Sequence, residues 1–136
     1  MNTIKPWSVL MIIGGLVMAA SSFLNWNEIL LPGGGFHENG WDKGMLGLYQ
    51  LLIGALVALF GLTQAAGRSF TGKIATLSIN QWMIALSVAV AIWGFGLQFA
   101  DNPEIGVLTT WVGGVMGAVG ATMSERSTDE AQLPTY

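Results

Sequence analysis

The side chains best suited to chemistry lie close together in one polar interval: the sequence's single histidine, His37, stands beside Glu38, with Glu28 upstream and Asp42 downstream. An imidazole with carboxylates is a divalent-cation donor set, and paired carboxylates can serve as acid and base. The spacing supports neither role strongly. No pair of ligands has the fixed helical spacing of a metalloenzyme motif, and Gly33-Gly34-Gly35 makes the backbone between them pliant. No nucleophile or oxyanion feature accompanies Glu28 and Glu38. The expectation is a solvated loop with no catalytic residue and no metal site. The triple glycine lacks the Gly-Lys-Ser/Thr of a phosphate loop and reads as a hinge. Cysteine is absent, which removes thiolate nucleophiles and cysteine-based zinc or iron-sulfur sites. A net charge of -3 without a basic stripe argues against a nucleic-acid partner.

What holds this interval in place is a chain built for lipid. Hydrophobic residues make up 52% of it, charged residues 10%, and the mean hydropathy is +0.57; soluble domains are about a quarter charged. Four runs are free of Asp, Glu, Lys, Arg and His, at about 7–26, 45–67, 81–100 and 105–123. Each approaches the roughly 20 residues a helix needs to cross a bilayer. The first run, with Lys5 before it and Ala19-Ala20-Ser21 near its end, also has the outline of a signal peptide; it is expected to stay as the first span. The expected fold is one all-α domain, an integral membrane four-helix bundle with a long first loop at 27–44. Phe70, Ile74 and Leu77 suggest a short interfacial helix between the second and third spans. Asn102 is a candidate N-cap for the last span, with Pro103 in its first turn. A polar tail follows over 124–136, exposed or docked on a partner.

Four spans place both termini on one side. Lys5, Arg68, Lys73 and Arg126 fall on that side and Lys43 alone on the other, so the termini are expected in the cytoplasm and the 27–44 loop outside. Trp7 and Trp82 then sit at the inner interface, Trp26, Trp41 and Trp111 near the outer one, and Trp93 near mid-membrane. Gln50, Gln64, Gln81 and Gln98 are expected near the interfaces, solvated. The methionines in the spans are expected to serve as adaptable packing.

Helices in lipid associate through small residues that let backbones approach. Gly15 and Ala19 mark such a face on the first span, Gly54 and Gly61 on the second, and Gly106, Gly113, Gly117 and Gly120 on the fourth. These residues are expected to pack the bundle, with part of the last helix left for another chain. In the outer loop, Trp26, Leu30, Leu31, His37 and Trp41 form the expected docking surface.

Ser22-Phe23-Leu24-Asn25-Trp26, followed by Asn39-Gly40-Trp41-Asp42, resembles small prokaryotic four-span membrane proteins whose first helix ends in a Phe-Leu-Pro-Trp-type motif; Asn25 stands in place of the proline. The large first loop and small second one are similar to claudin-like tetraspans, without that family's paired loop cysteines. The resemblance implies topology and a prokaryotic inner membrane, and it implies no activity. The resulting expectation is a non-enzymatic accessory or assembly subunit of a larger membrane complex. Its expected contacts are lipids and other integral membrane subunits, with no cofactor. The alternative is a small transporter or pore acting as a homo-oligomer.

Overall fold

A charge-free apolar run folds as a helix in lipid because every backbone N–H and C=O must find its partner within the segment. The computed structural model describes residues 5–29, 31–43, 45–67, 73–99 and 103–132. Four helices dominate it: α1 (Pro6–Ser21), α2 (Met45–Ala65), α3 (Ile79–Leu97) and α4 (Ile105–Gln132). Three of them, α2, α3 and the Ile105–Arg126 part of α4, are long and apolar enough to cross a membrane; α1 is apolar but shorter.

The boundaries depart from the sequence expectation at several points. At 16 residues, α1 extends about 24 Å and stops at Ser21 instead of running to Trp26. The hydroxyl of Ser21 donates to Val17 O (2.6 Å) and that of Ser22 to Ala19 O (2.8 Å). The N–H groups of Phe23 and Leu24 then tighten onto carbonyls three residues back, and the chain turns into strand β1 (Asn25–Ile29). The loop is therefore structured: β1 pairs antiparallel with β2 (Phe36–Asn39), and a 3-10 turn (Gly40–Lys43) leads into α2.

At the other end, the interfacial helix is not formed over Lys73–Ser78. Strands β3 (Lys73–Ile74) and β4 (Leu77–Ser78) pair across Ala75 and Thr76, both at positive φ as a type I′ hairpin turn requires. Phe70, Leu30 and Asn102 lie outside the described residues. The polar tail does not begin as a loop: α4 continues to Gln132, because Ser124–Gln132 contains neither glycine nor proline and is rich in helix-forming Glu, Arg, Ala and Gln.

The packing centres on α1, which lies against α2 on one side and α4 on the other; α4 in turn carries α3, and α2 and α3 meet only sparingly. Consecutive glycines make this possible. A Cβ on Gly14 would fall 2.6 Å from Gly117 N of α4, and one on Gly15 would fall 2.4 Å from Ala58 N and 2.5 Å from Gly54 O of α2. Gly54 meets Ala19, Gly61 meets Met11 and Ile12, Gly113 meets Met18, Gly114 meets Ala91 of α3, and Gly120 meets Met11 and Trp7 O. Gly117 lies between Ser87, Met18 and Val57. Met11, Met18, Val57, Met83 and Val90 fill the interior between these crossings, the flexible thioethers taking up the space that the glycines leave.

Gly15→Val should lower the unfolding free energy in detergent by roughly 1–3 kcal/mol, because backbone atoms, not a movable side chain, occupy the space. Gly96→Ala is the control. Nothing lies within 4 Å of its Cβ position, so stability should be unchanged or rise by up to about 1 kcal/mol. Denaturant midpoints of the two variants check both signs.

Candidate functional site

The site is the end of the molecule where the β1–β2 hairpin sits on the helices. Its foundation is Trp26. A bulge between Asn25 and Asn27 shifts the register at this residue, and such an irregularity re-aims a side chain. The indole is fully buried and its Nε1 donates to Ser21 O at 2.7 Å. Gly40 and Gly106 are bare where the ring passes: their added Cβ atoms would sit 2.7 and 2.5 Å from it. The backbone is tied as well, with Glu104 N donating to Trp26 O (2.8 Å) and Gly40 N to Ser22 O (3.1 Å). The hairpin is thus fixed to α1, to the 3-10 turn and to the start of α4.

That fixation brings three ionisable side chains together. Glu28 and His37 are direct partners across the hairpin, and Glu104 arrives from the segment before α4. His37 Nδ1 and Glu104 Oε1 are 2.6 Å apart, with the histidine side chain 52% exposed and the glutamate 20%. One ligand-type atom from each of Glu28, His37 and Glu104 lies within 4.8 Å of the others. The trio differs from the His37, Glu38, Asp42 set suggested by sequence proximity. Glu38 neighbours His37 in a strand and so points to the opposite face, while Asp42 Oδ2 accepts from Asn39 N at 2.9 Å in the turn. Glu104 was outside the expected set because its approach depends on the tertiary bond to Trp26 O.

A second polar assembly lies within the helices. Gln50 is fully buried, not solvated. Its Nε2 donates to Met18 O (2.9 Å) and Thr110 Oγ1 (3.0 Å), and its Oε1 accepts from Trp93 Nε1 (3.2 Å). One side chain of α2 thereby joins α1, α3 and α4. Near the opposite end, Gln64 links Asn80 and Ser124, and Ser78 caps α3 while its hydroxyl donates to Glu125 (3.0 Å). Ser8 and Ser87 bury hydroxyls that have no partner among the described residues.

No family model, curated protein or solved structure matches the chain. The site is therefore read from its own geometry. Of the expected docking residues, Leu31, His37 and Trp41 are exposed on the hairpin end, the Trp41 ring lying tilted against Phe23 with centroids 5.6 Å apart. Trp26 is not available for docking, because the helix ends close over it. All eight residues expected at helix faces, Gly15, Ala19, Gly54, Gly61, Gly106, Gly113, Gly117 and Gly120, pack within the chain; Gly106 does so against Trp26 and not against a helix. On the lateral surface, Ile92, Phe95, Trp111, Val115 and Val119 line an apolar cleft of about 430 Å³ between α3 and α4.

Trp26→Ala should cost about 3–5 kcal/mol as a large-to-small change in a filled space, and protease should then cut within 27–44 while the helices stay intact. Gln50→Leu should cost about 1–2 kcal/mol, since Trp93 Nε1 loses its acceptor and three interhelical bonds vanish. Denaturant titration in detergent measures both.

Proposed function

We propose that the chain is a non-catalytic integral membrane subunit that docks onto other membrane proteins of a larger complex through its hairpin end. In this reading the four helices form a bundle in a prokaryotic inner membrane. The excess of Lys and Arg on the side of the termini keeps these in the cytoplasm and the hairpin outside.

The observation that carries the proposal is a division of labour in the structure. The glycine faces and Gln50 are matched within the chain, whereas Leu31 and Phe36 on the anchored hairpin, and Phe23 and Trp41 in the turns flanking it, stand exposed. Aromatic residues held out on a rigid support are what a protein interface uses, because little conformational freedom is lost on contact. The helix exterior is apolar, with Leu52, Leu56 and Leu59 on α2, Val88 and Ile92 on α3 and Val112, Val115 and Val119 on α4 exposed. These residues suit lipid. A homo-oligomeric pore would need a polar lining from such faces, and the faces named do not provide it.

Mild detergent extraction followed by native mass spectrometry tests the proposal. The expected result is a co-purifying membrane protein that is lost on Trp41→Ala while far-UV circular dichroism is unchanged. A lone monomer from native membranes would overturn the assignment.

A further inference from the structure

We propose that Glu28, His37 and Glu104 together bind one divalent transition-metal ion. The inference goes beyond the docking role and stands without it. The donor set itself selects the class of ligand: an imidazole nitrogen with two carboxylates suits zinc and its neighbours, whereas calcium and magnesium favour all-oxygen surroundings.

The backbone brings the three residues to one place. Glu28 and His37 face one another in a paired register, and Glu104 is held by its N–H bond to Trp26 O. Three ligands at the usual zinc distances in a tetrahedron are about 3.4 Å apart. Here the chosen atoms lie within 4.8 Å of one another and the His37–Glu104 pair is at 2.6 Å, so adjustments of about 1 Å, within side-chain rotation, convert the cluster into a coordination sphere. The His37–Glu104 hydrogen bond accounts for two of the three groups. It does not account for Glu28, whose carboxylate has no hydrogen-bond donor or cation among the described residues and yet converges on the same point. A cation satisfies both carboxylates at once. The exposure of His37 leaves an open side, where water or a donor from another molecule completes the sphere.

The test uses the full chain, free of any histidine tag, stripped with chelator and held in detergent micelles. Zinc titrated by calorimetry should bind one ion per chain, and cobalt should give the visible absorption of a nitrogen and oxygen site, both in the presence of excess magnesium. Glu28→Gln, His37→Ala and Glu104→Gln should each weaken binding more than tenfold. Glu28→Gln is decisive, because it removes no hydrogen bond among the described residues. Glu38→Gln removes the same charge from the opposite face of the hairpin and should leave binding unchanged. The proposal is overturned by no stoichiometric binding to the native chain, by full binding in Glu28→Gln, or by equal loss in Glu38→Gln.

Discussion

Gly14 and Gly15 impose the constraint on which the structure rests. Successive residues of an α-helix point about 100° apart and rise only about 1.5 Å, so two adjacent glycines remove side chains from two different faces at nearly the same height. The backbone of α1 can then touch α4 through Gly14 and α2 through Gly15 at once. In lipid, where apolar surfaces gain little by meeting one another, close contact supplies dispersion attraction that bulky side chains would hold apart. A central α1 follows, and with it the sparing contact between α2 and α3.

The central helix is also the shortest, and the two properties are linked through its end. Because α1 turns at Ser21, the space above it is available to the hairpin, and Trp26 fills the space between Ser21, Gly40 and Gly106. A longer α1 would carry Trp26 onward along its own axis and leave Gly106 without a neighbour. The bulge at Trp26 and the glycines opposite its ring are therefore parts of one arrangement, and the same arrangement fixes the carbonyl to which Glu104 bonds.

The apolar class, the helices and the small-residue faces were legible in the sequence because charge depletion and the spacing of small residues are local signals. The positions of Gly15, Gly54, Gly113 and Gly117 were legible, but their partners were not, since nothing local says which face meets which helix. Trp26 was misread as a surface anchor because an indole beside a polar loop is normally interfacial; its burial depends on glycines at 40 and 106, far away in sequence. Gln50 was misread for a similar reason. A glutamine near the start of a span usually reaches water, and here Trp93 and Thr110, from two other helices, take its place. Glu104 joined His37 only through the fold.

The two polar assemblies differ in a way that bears on where function resides. At Gln50 the amide nitrogen has two acceptors and the oxygen a donor, all from this chain, so a ligand there would have to displace bonds in a medium that offers no water in exchange. Such a group holds helices in register. At the hairpin the polar groups are partly exposed, His37 most of all, and converge from separate elements; their support is the buried Trp26, which does not itself take part. A site placed on a rigid foundation but open on one side can accept a partner without rebuilding its core. That asymmetry, more than any single residue, is what supports the proposed docking role of the hairpin end, with the helices as its support.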